Sequence, residues 1–445
     1  MTNINKMLTE VLQFSRAEQT EIVYMGKDSA LTRFTNNYIH QNVAESNGTA
    51  SIRVVVGKKI GSATTNQLNE KSLRSAVEKA IEIADAQREN PYFQSLPAPT
   101  PYREIETYVS ATAEFTPQQR AKAVATIVKL TEQNGIIASG AISTETMEII
   151  IVNSMGVNAH QRGTSADLNL IVSSDDGASG YANYLTRDVT QIDIVALTEQ
   201  AIDKCLQGKD PITIEPGEYV TILEPYAVGT FVSFLGYLGM GALALQERRS
   251  FMVDKLGKQI TGDNITIWDD GLNPQGMPMP FDFEGVAKEK VSLIEKGVAK
   301  GVVYDSYTAG RQPEKRSTGH ALPAPNSSGP MPLHLFMERG DSSLAEMIAS
   351  TERGIYVTRF HYTNPVEPMS TTITGLTRDG TFLIEEGRIT SSLGTLRFTD
   401  SILKALSHVS QISKETALVG SFFGGSRVPA LKTDRLRFSG SAKRA

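Results

Sequence analysis

A single cysteine, Cys205, rules out an internal disulfide framework and any multi-cysteine metal site. The six histidines, at positions 40, 160, 320, 334, 361 and 408, are never spaced i, i+3 or i+4. No helix therefore offers a histidine pair to a metal. The chain also has no Gly-x-x-x-x-Gly-Lys-Ser/Thr phosphate loop and no Gly-x-Ser-x-Gly nucleophile turn. Charge of one sign is lacking too: 44 basic side chains face 49 acidic ones, a net charge of −5. Such a balance gives no field that favours nucleic acid or an anionic membrane as partner. The first twenty residues lack a basic lead followed by an apolar core, so no signal peptide is expected and the protein reads as cytoplasmic.

Charge is missing in one further place. "PYAVGTFVSFLGYLGMGALALQ", from Pro225 to Gln246, carries no ionisable acid or base and contains four glycines. Its length would just cross a bilayer, but no second span exists, and a buried glycine-rich helix within a soluble domain is the expectation.

What is present suits a multidomain globular protein of 445 residues, 40% of them hydrophobic and 21% charged. A helix is expected near 5–19, followed by alternating strands with turns at Asn47-Gly48 and Gly57-Lys58-Lys59. The next helix places Leu73, Ala76, Val77, Ala80, Ile81 and Ala84 on one face, with Ser72 as its N-cap. A proline-rich bridge, "QSLPAPTPYRE", follows. Thr116 and Pro117 mark the start of another helix and Asn134-Gly135 its end. More short antiparallel strands follow, then a helix ending at Gly208, with Cys205 as a buried structural thiol in its last turn. Beyond Pro211 strands, turns and glycines dominate, apart from the uncharged stretch and a helix near 399–409. The fold class is thus α+β: two helix and antiparallel-strand subdomains, 1–100 and 101–212, then a large β-rich C-terminal domain, 213–445.

Candidate chemistry is sparse. Asp269-Asp270-Gly271 could pair carboxylates but reads first as a strand-ending turn. Asp282 and Glu284, two apart on a possible strand, would face one side and suit a metal or an acid–base pair. His320, in the Gly/Pro/Ser-rich "RSTGHALPAPNSSG", reads as a hydrogen-bonding surface histidine or a loop-borne functional one. The glycine pairs in "GGSR" and "FLGYLGMG" fit close backbone packing. Lys432, Arg435, Arg437, Lys443 and Arg444 form a locally basic end, expected to be solvated rather than to bind nucleic acid.

The order of pieces resembles the TldD/PmbA (TldD/TldE) family, once called modulators of DNA gyrase. The likeness rests on "RFTNNYIHQNVAESNGTASIRVVVGKKIGSATTN", "IIIVNSMGV", "ITIWDDG", "FDFEGVAKEKVSLIEKGVAKGVVYD", "RSTGHA", "TGLTRDGTFLIEEGRI" and "GGSRVPAL", and spans nearly the whole chain. In that family the peptidase subunit carries His-Glu-x-x-x-His at the head of its C-terminal domain. The two histidines hold zinc, the glutamate acts as general base and a later cysteine completes the site. The resemblance sets Leu235, Gly236 and Met240 where His, Glu and His would stand, and Cys205 lies upstream of the whole domain. It implies a TldE/PmbA-like chain with no metal or cofactor of its own, zinc belonging to a TldD-like catalytic partner. The pair would act on unfolded peptides. "HYTNPVEPMSTTITGLTRDGTF" is closer to the TldD counterpart, so a TldD-like chain that lost its metal stays open. A homodimeric peptide-binding scaffold, or a hydrolase using Asp269, Asp282, Glu284 or His320, are the alternatives.

Overall fold

A computed structural model describes residues 3–421 and 424–441. Among these residues the N-terminal half builds one six-stranded antiparallel sheet from two similar units. The first unit is helix α1 (Asn3–Phe14), strands β1 (Gln19–Thr35), β2 (Tyr38–Val56) and β3 (Lys59–Thr65), and helix α2 (Glu70–Ala86). A short helix, α3 (Ser110–Ala113), precedes the second unit. That unit is α4 (Pro117–Gln133), β4 (Ile137–Asn153), β5 (Asn158–Ser173), β6 (Ser179–Thr186) and α5 (Ile194–Gln207). The strand order is β3-β2-β1-β4-β5-β6, so the units meet through their first strands. β1 and β4 pair from Glu21 opposite Asn153 to Phe34 opposite Gly140. The units on either side of residue 100 therefore share one sheet, and its strands are long rather than short.

Each unit packs its helices the same way. The expected face of α2, Leu73 to Ala84, is buried against β1–β3. A Cβ on Gly61 would lie 2.0 Å from Ala80 O, and one on Gly180 would lie 1.9 Å from Ala201 O. Glycine on β3 and on β6 thus lets α2 and α5 ride directly on the backbone of the sheet.

Local signals fared unevenly. Thr116 and Gln119 form a capping box with Pro117 at the first turn of α4, and Asn134 ends that helix. Asn69, not Ser72, caps α2: its side chain accepts from Ser72 N–H. Asn47-Gly48 lies within β2, and the turn into that strand is made by Asn36 and Asn37, both left-handed at φ 50° and 62°. Gly48 stands opposite Gly26, and Tyr24 packs over both. The glycine makes room for a ring rather than for a turn.

The C-terminal half forms an eleven-stranded mixed sheet among the described residues. In chain order its elements are β7 (Gly217–Leu223), α6 (Pro225–Gly239), α7 (Ala242–Gln246), β8 (Ile267–Asp269), β9 (Val291–Glu295), β10 (Val298–Ala299) and α8 (Ser306–Gly310). Then come β11 (His334–Met337), α9 (Leu344–Ala349), β12 (Arg353–Glu367), β13 (Thr372–Glu385), β14 (Arg388–Ser392), β15 (Leu396–Ser401), α10 (Ile402–Ser407), β16 (Val409–Ser421) and β17 (Gly424–Ser441). β17 pairs with both β15 and β7, which closes β7, β12, β13, β15 and β17 into a ring. Helix α6 packs into the core of this half. Phe231 stacks on Phe360 at 5.3 Å between ring centroids, and Phe360 meets Phe398 at 4.2 Å. The basic end belongs to this sheet: Lys432 is buried and Arg435 pairs with Glu218 and Asp400, so neither is a solvated tail. Lys443, Arg444 and the Phe422-Phe423 pair lie outside the described residues.

No helix among the described residues is long and apolar enough to cross a membrane. The uncharged stretch is two helices, not one. It breaks at Gly241, which bridges to Val303; Ala242 N–H donates to Val303 O and Val303 N–H to Met240 O. Just ahead of α6, buried Glu224 accepts from Tyr356 Oη at 2.5 Å, Thr358 Oγ1 and Lys204 Nζ. Lys204 comes from α5, so this buried pair ties the N-terminal half to the start of α6.

Candidate functional site

The positions that the resemblance sets for a zinc motif sit at the centre of the C-terminal core. Leu235 and Met240 are fully buried, among Phe251, Ile267, Leu335 and their neighbours. A Cβ on Gly236 would meet Leu335 Cδ1 at 3.1 Å and Pro332 Cγ at 3.3 Å, so the space beside the helix is filled by apolar carbon. Leucine and glycine offer no donor to zinc, and a core methionine is no substitute for imidazole. The residues present do not fit the metal. The outer face of α6 is different: Tyr226 and Thr230 line a groove of about 550 Å³ with Asp167, Asn183, Arg359 and Phe360.

One strand away lies a buried polar cluster. Leu335, whose side chain covers Gly236, stands opposite Asp269 in the β11–β8 pairing. Asp269 is buried at the end of β8, while Asp270 makes the expected turn by accepting from Leu272 N–H. His320 is 1% exposed, so it is not a surface histidine. Burial and the Lys288 ammonium push it below its ordinary value. Its Nε2–H donates to the Asp269 carboxylate at 2.8 Å, and its Nδ1 lies 2.9 Å from Thr318 Oγ1. Asp269 Oδ2 accepts from His334 N–H at 2.7 Å. Burial alone would raise the Asp269 carboxyl, but these partners and Lys288 hold it well below the usual carboxylate range.

Asp282 and Glu284 belong to a turn rather than a strand, with Gly285 left-handed at φ 75°. The turn aims the two carboxylates differently. Asp282 accepts from Glu284, Val286 and Ala321 N–H groups, the last of them adjacent to His320. Burial, with Glu284 close by, pushes its pKa up to about 7 against those three donors. Lys288 lies near Asp269 and Asp282, donates to Gly319 O at 2.8 Å and is pushed down by burial. Glu284 leaves this cluster and reaches the N-terminal sheet. Its Oε1 takes Arg53 at 3.0 Å and its Oε2 takes Ser306 N–H at 3.1 Å. Arg53 also holds Glu21 at 2.9 Å, so one guanidinium spans two buried carboxylates from the two halves of the chain. The apolar face of the N-terminal sheet helps seat the same turn, since Val23, Ile149 and Ile151 pack with Phe281 and Phe283.

The structure therefore brings Asp269, Asp282 and His320 together, keeps Glu284 beside them as a link to Arg53, and sets Leu235, Gly236 and Met240 apart in the core. Sequence reasoning missed Lys288, His334, Arg53 and Glu21. A signal existed for one: Arg53 is a lone charge inside "SIRVVV", where a buried strand needs a partner for it. Cys205 is buried as expected, and burial raises its thiol.

This architecture has known counterparts. Over 98% of its length the chain superposes on TldE from Thermococcus kodakarensis with a TM-score of 0.89, at 23% identity and covering 100% of that chain. A metalloprotease TldD homologue of Haemophilus influenzae is 23% identical over 88% of this chain and 86% of its own. An uncharacterised protein of Methanocaldococcus jannaschii is 27% identical over 61% of this chain, which spans about three fifths (62%) of that relative's length. Residues 20–84 match the model for PmbA/TldA metallopeptidase domain 1, and residues 216–440 match the PmbA/TldA metallopeptidase C-terminal domain. With half the chain matched by that C-terminal domain, the protein belongs to the PmbA/TldD metallopeptidase family.

Proposed function

We propose that the chain is a non-catalytic, TldE/PmbA-like subunit that pairs with a zinc-bearing, TldD-like chain and helps to hold unfolded peptides. One observation carries this reading. Where a metal-binding helix would present imidazole and carboxylate, α6 and the residue after it present leucine, glycine and methionine, with Leu335 and Pro332 packed against the glycine. The buried cluster of Asp269, His320 and Lys288 supplies no substitute: its members are spent on each other and on backbone groups. It fixes the loops between β8 and β11, and so the frame in which α6 sits. The groove along Tyr226 and Thr230, lined by Asp167, Asn183 and Phe360, leaves α6 a face for an extended chain.

The test is direct. The purified chain should contain no stoichiometric zinc and cleave no unfolded peptide. Mixed with a paralogue bearing His-Glu-x-x-x-His, it should form a one-to-one complex and raise that paralogue's peptidase rate. One tightly bound zinc per lone chain, with activity lost on chelation, would overturn the proposal. Peptide binding by a homodimer with no response to the paralogue would replace it with the scaffold reading.

A further inference from the structure

A second cleft, of about 580 Å³, opens where the N-terminal sheet meets the C-terminal loops. Its size suits a small organic ligand. Ile60, Ile83, Phe93 and Leu322 supply apolar wall. Three carboxylates line it, Glu247, Glu284 and Asp305, against one guanidinium, that of Arg53. Arg53 is already committed to Glu21 and Glu284, and both oxygens of Glu284 are occupied by Arg53 and Ser306 N–H. Glu247 is an exposed residue paired with Arg249.

Asp305 differs from all of these. It is only 6% exposed, yet its hydrogen bonds fall on one oxygen: Oδ1 accepts from Thr308 N–H at 2.7 Å and from Thr308 Oγ1 at 2.6 Å. Among the described residues Oδ2 takes no hydrogen bond, on a side chain more than nine-tenths buried that lines the cleft. Oδ2 is not sealed off: it keeps access to the cleft, where an incoming donor can reach it.

We infer that this cleft binds an alkyl-ammonium or alkyl-guanidinium group, its aliphatic stem along Ile60, Ile83 and Leu322 and its cationic head on Asp305. The two kinds of lining match the two parts of such a ligand: apolar wall for the methylenes, and for the charge a carboxylate with one oxygen free of hydrogen bonds. The inference stands whether or not the chain pairs with a zinc-bearing paralogue. The group can come from a free amine or from a basic side chain within a peptide.

Calorimetric titration of the full chain distinguishes these, with agmatine, N-acetyl-arginine N-methylamide and the uncharged N-acetyl-norleucine N-methylamide as probes. At least one cationic probe should bind ten-fold or more tighter than the uncharged one. Binding of agmatine alone assigns the site to free amines; binding of the arginine derivative assigns it to basic side chains. Asp305→Asn keeps the Oδ1 acceptor that caps α8, and should weaken the cation ten-fold or more. Ser327→Arg, on the exposed rim of the cleft, should do the same by supplying a tethered guanidinium. Equal affinity for charged and uncharged probes, or cation binding unchanged in both variants, overturns the inference.

Discussion

Two neighbouring regions of the C-terminal domain, one strand apart, solve opposite problems. Around α6, Leu235 and Met240 sit in the apolar core and Gly236 is covered by Leu335 and Pro332. Across Leu335, the residues near Asp269 form a cluster in which nearly every buried charge has a partner. The first region is held by close packing and tolerates no void. The second is held by mutual satisfaction and tolerates no missing partner. Buried polarity is thus concentrated away from α6 in this domain. It lies in the loops, where it serves architecture.

The comparison can be broken most forcefully at Arg53. Arg53→Met strands Glu21 and Glu284 as buried carboxylates and should cost about 3–5 kcal/mol in denaturant unfolding. Adding Glu21→Gln and Glu284→Gln to that variant should recover most of the loss. If Arg53→Met alone is harmless, the cluster is not held by its pairing. In the apolar region, Leu235→Ala should cost about 2–5 kcal/mol through the cavity it leaves. A loss below about 1 kcal/mol would mean that the helix is loosely packed.

The smallest effect is the most diagnostic. His334 is buried, its Nδ1 has no partner, and burial together with Lys288 pushes its pKa down to about 3. Below pH 6.5 the unfolded chain gains a proton at this residue that the folded chain refuses. Wild type should therefore lose about 1.4 kcal/mol per pH unit relative to His334→Gln as pH falls from 6.5 towards 4.5. Parallel stability curves for the two proteins over that window would show that His334 is charged when folded.

What could be read in advance followed from local rules. The face of α2, the start of α4 at Thr116 and Pro117 and the turn at Gly57-Lys58 all depend on residues a few positions apart. Asn47-Gly48 misled because the same two residue types serve a tight turn and a ring resting on a strand; Tyr24 decides between them. His320 looked exposed because its loop is rich in glycine, proline and serine, whereas its partner Asp269 lies 51 positions away. Glu284 and Arg53 are 231 positions apart, and no spacing rule spans that distance.

The meeting of β1 with β4 has a consequence during synthesis. Strand β1 is complete at residue 35, but the strand that covers its second edge ends only at residue 153. Until then the nascent chain carries a fourteen-residue edge, Glu21 to Phe34, with β2 on one side and nothing on the other. Open edges of that length recruit other chains, and pairings so distant in sequence form slowly. A truncation near residue 100, which looks like a clean domain boundary, would make that transient edge permanent. Such a fragment is expected to aggregate, whereas a fragment carrying both units through α5 keeps the seam closed.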